Sequence, residues 1–326
     1  MIELQDNRLV FRFPEVHEDA VLEVEFQRTL RIPDDNREYP LPPGLGSFPL
    51  DHVDDHAERL PPAWSRHGGV FLPMHQAEAM WIAFEADYPM AVKIAAGKVN
   101  ALTGEPWRDE LTEEPQDYLV APEQPWLDGF CVRKGLIRQF VAMPLGEGYS
   151  AEEQLTGEAQ HGGLQIAVSP MTAEAWEAIQ KELVRARHAD LSYAPLDAAP
   201  EMGLAPGGLM RQEIYEDPHG FDAWELGVRS RCYVHILNSA QFLAATGARP
   251  PQEPPTALEY AEAGLPWLEY YGGDLEALEG AKILAGLDSV AQATFKKGVG
   301  VLPGNEPVTP TVVETLAARQ VREGDF

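Results

Sequence analysis

The chain has 326 residues, 44% of them apolar and 24% charged, which is enough to bury a large core and excludes a disordered polymer. Its 52 acidic residues outweigh 25 basic ones, giving a formal net charge of -27 and a pI near 4.6. Such a chain is repelled by phosphate backbones and anionic membrane surfaces, so neither a nucleic acid nor a membrane is expected as partner. The acidic residues are scattered rather than blocked, which reads as a solvated surface in preference to an acidic mimic of DNA. Cys131 and Cys232 are too few for a disulfide scaffold. The start Met1-Ile2-Glu3-Leu4-Gln5-Asp6 has no basic or apolar leader character, and no apolar run reaches membrane-spanning length. A cytoplasmic, soluble protein is the expectation.

The chain opens with strand patterns. Arg8-Leu9-Val10-Phe11-Arg12-Phe13 is one, and Val21-Leu22-Glu23-Val24-Glu25-Phe26 alternates apolar and acidic with the period of a half-buried strand. Residues 32–62 are rich in proline, glycine and acid, and read as a long ordered loop. Gly69-Val70-Phe71-Leu72-Pro73 is a short strand. Ala79-Met80-Trp81-Ile82-Ala83-Phe84 and Ala91-Val92-Lys93-Ile94-Ala95-Ala96 flank the turn Asp87-Tyr88-Pro89 and read as a hairpin or neighbouring strands, with a helix opening at Met74 as the alternative for the first. Thr172 N-caps a helix whose Trp176, Ile179 and Leu183 form one stripe, and whose end collects Arg185, Arg187 and His188. Residues 189–206 read as a linker, and Cys232-Tyr233-Val234-His235-Ile236-Leu237 as a strand buried on both faces.

Residues 239–326 read as more helical. One helix is expected over 239–246 with a stop at Gly247, a second from the cap Thr256, and a third over 274–287 interrupted by Gly280. A fourth starts at Thr309-Pro310 and runs to Gln320. The fold class that follows is α+β, a mainly antiparallel β core with an internal strand repeat and a more helical C-terminal part. The regions are 1–130, β-rich with the proline-rich loop; 131–238, with the repeat and one helix; and 239–326. Together they make one or two compact units.

The repeat is Gly135-Leu136-Ile137-Arg138-Gln139 against Gly208-Leu209-Met210-Arg211-Gln212, with the fragment Gly162-Gly163-Leu164-Gln165-Ile166 between. Alternation sets Gln139 and Gln212 among apolar neighbours and sends Arg138 and Arg211 to the opposite side. A buried glutamine must pair its carbonyl and both N–H donors. Duplicated architecture with a shared polar network is one reading. The other makes Arg138 and Arg211, with Gln139 and Gln212, a shared site for a small anionic ligand.

The segments Pro115-Gln116-Asp117-Tyr118-Leu119-Val120, Gln124-Pro125-Trp126-Leu127-Asp128-Gly129, Ile137-Arg138-Gln139-Phe140 and Met210-Arg211-Gln212-Glu213-Ile214-Tyr215 resemble those of a widespread bacterial family of uncharacterised proteins. Val234-His235-Ile236-Leu237-Asn238-Ser239 and Gly264-Leu265-Pro266-Trp267 do so too. The resemblance runs from about Leu41 onward. It implies a whole cytosolic bacterial protein and supplies no activity, cofactor or catalytic residue.

Three further clusters bear on chemistry. His52, Asp54 and His56 offer ligands for a divalent metal, with His67 or His75 completing the shell; solvated histidines on an acidic turn are the plainer reading. Glu213, Asp217 and His219 offer a general base and its partners, against a turn in which Asp217 caps and Gly220 takes positive φ. Gly146-Glu147-Gly148-Tyr149-Ser150-Ala151 matches a dinucleotide pattern by chance, because Gly157 follows too soon for a crossover helix. Trp126, Trp224, Trp267, Tyr270 and Tyr271 read as plugs at the ends of the β core or as a binding surface. No cofactor is expected beyond the alternative of a divalent metal. The function expected is a non-catalytic binding or assembly scaffold with a protein partner or a homo-oligomeric state. The alternative is a hydrolase, metal-dependent or not, using the carboxylate and histidine clusters.

Overall fold

The apolar–acidic alternation after residue 20 becomes a strand, Val21–Thr29, with Leu22, Val24 and Phe26 buried and Glu23 and Glu25 half-exposed. The computed structural model describes residues 1–183, 202–270 and 275–316. Its strands are β1 (Ile2–Gln5), β2 (Arg8–Arg12), β3 (Val21–Thr29), β4 (Glu38–Tyr39), β5 (Gly44–Ser47), β6 (Asp51–His52), β7 (Val70–Met74), β8 (Ala79–Glu85), β9 (Met90–Ala96) and β10 (Val99–Asn100). There follow β11 (Leu119–Ala121), β12 (Trp126–Leu127), β13 (Gly129–Arg133), β14 (Leu136–Pro144), β15 (Leu164–Pro170), β16 (Met202–Arg211), β17 (Ser230–Asn238), β18 (Trp267–Glu269) and β19 (Val313–Thr315). The helices are α1 (Trp64–His67), α2 (Ala151–Thr156), α3 (Ala173–Leu183), α4 (Ser239–Thr246), α5 (Ala257–Glu262), α6 (Lys282–Ala285) and α7 (Val290–Lys296).

A ten-stranded sheet has the order β1-β2-β3-β8-β14-β16-β4, with β5, β12 and β13 attached to β3, β8 and β14. A seven-stranded sheet has the order β10-β9-β15-β17-β7-β6, with β11 on β9. Antiparallel pairing dominates, and β16–β4, β17–β7 and β18–β19 are parallel. Leu22, Phe26, Ile82 and Phe140 of the first sheet share one buried apolar cluster with Val92, Ile94, Ile166 and Val234 of the second. Strands from either side of residue 130 therefore interleave in both sheets. No helix among the described residues is long and apolar enough to cross a membrane.

The structure corrects the expected elements at several places. β8 and β9 are not a hairpin, because the chain passes from one sheet to the other at Tyr88, which is buried and donates its hydroxyl to Met171 O at 2.8 Å. Met74 ends β7 and opens no helix. The 32–62 loop contains β4, β5, β6 and a single 3₁₀ turn, Asp54–His56. The linker is shorter than expected, since β16 starts at Met202 and runs through Pro206. A register shift between Arg138 and Phe140 on the facing strand accommodates that proline in the ladder. Residues 189–201 lie outside the described residues, as do Arg185, Arg187 and His188.

The C-terminal part is less helical than expected. Between Asp274, itself outside the described residues, and Leu287 only α6 forms. Gly280 sits at φ 74°, where a Cβ would stand 2.4 Å from the Arg133 backbone nitrogen, so a helix cannot run through it. The helix expected from Thr309 is replaced by β19, in a run of threonine and valine that favours extended backbone; residues 317–320 lie outside the described residues. The caps at Thr172, Thr256 and Gly247 form as expected.

The two repeat copies pair with each other. Ile137 faces Met210, its own equivalent, with Leu136 opposite Arg211 and Arg138 opposite Leu209. The ladder is thus centred on a local two-fold between the copies. Just beyond it, Gln139 donates to Leu30 O (2.8 Å) and accepts from Ile32 N (3.1 Å). Gln212 donates to Trp126 O (3.1 Å) and accepts from Asp128 N (3.0 Å). Each glutamine therefore grips the carbonyl of one residue and the N–H of the next but one, as a neighbouring strand would. Gln124 grips Glu213 O and Tyr215 N in the same way, and Gln116 grips Tyr215 O and Asp217 N.

Gln139→Ala is expected to lower unfolding free energy by about 2–5 kcal/mol, because it orphans a buried carbonyl and a buried N–H at once. Urea denaturation measures it, with the solvent-facing Gln241→Ala as a control that should change stability by less than about 0.5 kcal/mol.

Candidate binding surface

The shared anion site expected of Arg138 and Arg211 does not form. Arg138 is buried, donates to Gly207 O at 3.0 Å and pairs with Asp34 at 3.6 Å. Arg211 is exposed and pairs with Glu269 at 2.8 Å. The local two-fold equates their backbones but not their surroundings, since β14 has strands on both sides and Arg211 ends β16. The amides of Gln139 and Gln212 are engaged in the backbone grips above, so neither presents a free amide to a ligand.

Asp217 and His219 come together, but as a satisfied turn. Asp217 accepts from Tyr118 OH (2.6 Å), Trp224 Nε1 (2.7 Å), His219 N (2.8 Å) and Gly220 N (3.2 Å). Gly220 takes φ 83°, the turn geometry the sequence offered. Burial pushes the Tyr118 hydroxyl far up, and the Asp217 carboxylate adds to the shift. His219 Nε2 lies 3.0 Å from Glu123 Oε1. Glu213 is half-buried, and its carbonyl accepts from Gln124.

His52, Asp54 and His56 split between β6 and the 3₁₀ turn. His52 and Asp54 are exposed, and His56 sits 3.8 Å from Asp51 with its ring edge-on to Phe71 at 5.6 Å. Among the described residues no three His, Cys, Asp or Glu side chains converge as metal ligands. Among the described residues no hydrogen bond, ion pair or ring contact joins this cluster to Asp217 and His219. His75 lies elsewhere, 3.3 Å from Pro251 O, and burial followed by the charge of Arg28 holds its imidazole down to about 4.

His67 instead joins a ring cluster that sequence reading did not anticipate. It meets His161 at 5.0 Å and Tyr233 at 4.8 Å, and His235 stacks on Trp64 at 4.3 Å. The available signal was alternation on β17, which sets Tyr233 and His235 on one face and Cys232 on the other. Burial holds His235 down to about 4, and raises the thiols of Cys131 and Cys232 to about 12. Both cysteines are free and buried, which makes them poor nucleophiles. The glycine pattern at 146–151 leads into a single short helix, α2, with a Ser150–Glu153 capping box and a left-handed stop at Gly157. Of the loop aromatics, Trp224 and Trp267 are buried plugs, Trp126 and Tyr270 pack partly exposed at 4.7 Å, and Tyr271 lies outside the described residues.

The surface that stands out is the segment 282–301. The inner side of α7 buries Val290 and Ala293 against Ala79, Val141, Met143 and Ala205 of the large sheet and Tyr149 of the loop before α2. Its outer side leaves Phe295 84% exposed, and the chain beyond leaves Val299 54% and Val301 82% exposed. Single exposed apolar residues are ordinary, but here three fall within seven positions, and we refer to the stretch as a patch. Beside it lies an open cavity of about 540 Å³ bordered by Gln154, Lys282, Ile283, Leu287, Asp288 and Lys296.

The patch is firmly held at its base. Ser289 and Gln292 form a capping box, and Asp34 accepts from Ala291 N at 2.8 Å. Asn305 accepts from Asp34 N at 2.8 Å, and Arg31 donates to Pro303 O. Gln154 donates to Asp288 O (2.9 Å) and accepts from Asp288 N (2.7 Å). Lys297 lies 3.2 Å above the Tyr149 ring. Comparison with protein-family models, curated proteins and solved structures finds no match.

One buried acid has an unusual environment. Asp128 is 3% exposed, its Oδ2 has no hydrogen-bond partner among the described residues, and burial raises its carboxyl to about 7 despite a hydrogen bond from Trp126. The fold therefore retains a proton that the unfolded chain releases near pH 4. Stability from this group is full below that pH and is lost as pH rises through about 7, a change on the order of 4 kcal/mol. Asp128→Asn is expected to be more stable than the parent at pH 8 and to flatten the decline between about pH 4 and 7, as followed by urea unfolding across pH.

Proposed function

We propose that the protein is a cytoplasmic, non-catalytic binding or assembly scaffold whose working surface is the patch at 282–301. The observation that carries this reading is the combination of Phe295, Val299 and Val301 turned to solvent with a base packed on the large sheet and hydrogen-bonded to Asp34. Burying such side chains against a partner yields on the order of 1.5–3 kcal/mol each, and pre-ordering the segment lowers the entropy cost of doing so. Two free, buried thiols suit a reducing compartment. The hydrolase reading has less support, because Asp217 is saturated by structural donors and the histidines of the 52–56 turn lie apart from it.

Photo-crosslinking tests the proposal. A benzophenone amino acid placed at Val301, in extract from the source cells, is expected to give a discrete and competable adduct. The same group placed at exposed Glu177, on the outer side of α3, is expected to give none. Equal labelling from both positions, or none from Val301, would remove the reading.

A further inference from the structure

We infer that the occupant of this surface is an acidic peptide segment with apolar anchor side chains. The inference rests on the binding-scaffold reading and adds the chemistry of the partner. Residues 282–301 contain Lys282, Lys296 and Lys297 against one acid, Asp288, so the stretch carries +3 − 1 = +2 in a chain of net charge -27. Lys282 and Lys296 border the cavity beside Ile283, and Lys297 follows directly on α7.

The lysines are positioned differently. Lys296 pairs with Asp288 at 2.6 Å and Lys297 caps the Tyr149 ring while donating to Glu147 O. Lys282 is exposed, and its ammonium has no ion pair or hydrogen bond among the described residues. An incoming carboxylate would thus meet one free ammonium and a second shared with a single aspartate. Leu155 and Leu287 add apolar lining for a side chain entering the cavity.

Charge also chooses between occupants. A second copy docking through the same patch would set these lysines against their own equivalents. An anionic bilayer is a plane, and drawing it to the patch would bring it within a Debye length of neighbouring surface in a strongly acidic protein. A narrow peptide touches only the basic, apolar strip, with apolar anchors on Phe295 and Val301 and its carboxylates toward the lysines.

The test is fluorescence anisotropy with a labelled peptide of repeated Glu-Glu-Leu and, as comparison, one of repeated Lys-Lys-Leu. The acidic peptide is expected to bind saturably, and to weaken about tenfold as salt rises from about 0.05 to 0.5 M. Binding should fall at least about tenfold in Phe295→Ser with Val301→Ser, and in Lys282→Glu with Lys296→Glu the preference should turn to the basic peptide. All four side chains are exposed, so circular dichroism and Tm should stay at parent values. Equal binding of the two peptides, or binding unchanged in both variants, overturns the inference. So does patch-dependent capture by phosphatidylserine vesicles without peptide binding, or dimerisation in sedimentation that the Phe295→Ser, Val301→Ser variant abolishes. A Val301 adduct to a partner lacking an acidic segment would sink this inference and leave the scaffold reading intact.

Discussion

Backbone groups inside a fold must be paired, and here glutamine side chains do much of the pairing that strands usually do. The stretch 213–217 shows it best. One edge is bonded to ordinary backbone, with Leu278 N donating to Ile214 O and Glu216 N to Glu276 O. Among the described residues the other edge has no strand beside it. Gln124 and Gln116 take its place, meeting Glu213 O, Tyr215 N, Tyr215 O and Asp217 N in turn. A primary amide offers a donor and an acceptor side by side, so it substitutes for one strand residue. Four such grips let the chain change direction in the interior without stranding buried polar groups.

The same device links the repeat to the proposed surface. Gln139 grips Leu30 and Ile32, and Arg138 beside it pairs with Asp34, so β14 holds the strip 30–34 at successive points. That strip then holds the C-terminal segment. Arg31 reaches Pro303, and Asp34 meets Ala291 and Asn305. Burial raises the Asp34 carboxyl while bonds from Ser289 and Ala291 and the charges of Arg138 and Arg31 oppose it. Arg138 is thus a structural cation, one step removed from the surface that its neighbours present.

How much of this was legible follows from what local pattern encodes. Period-two alternation disclosed β3 because one of its faces is half-exposed. β9, β14 and β15 are buried on both faces, so their alternation carries no sign of which sheet they join, and β8 and β9 were paired wrongly. The repeat pointed to pseudo-symmetric strands with a shared polar network; the strands do pair, but Gln139 and Gln212 each grip a separate segment, 30–32 and 126–128, in place of a shared network. The grips of Gln116 and Gln124 left a fainter trace, the recurrence of Gln-x-aromatic at 116–118 and 124–126. Phe295 and Val301 gave no signal, since exposure of an apolar residue depends on which neighbours fail to cover it. The run Lys296-Lys297 beside Phe295 was visible as composition, but only the packing of α7 gives it a direction.

The charge distribution gives that direction its meaning. Of the basic residues described, Arg28, Lys93 and Arg138 are buried, each against a carboxylate: Glu78, Asp117 and Asp34. Burial of an ion pair is weak evidence of net stabilisation, because desolvation offsets much of the attraction. Its clearer effect here is on what remains outside. Each buried pair is neutral and removes one cation and one anion from the surface, so the same excess of acid is left with fewer basic residues to relieve it. A strongly acidic exterior keeps copies of the chain apart and discourages promiscuous contact. Against that background a small basic and apolar strip is selective by contrast, since most of the molecule repels the acidic segment proposed as its occupant. Specificity of this kind needs no deep pocket, only a fixed patch on a repellent surface.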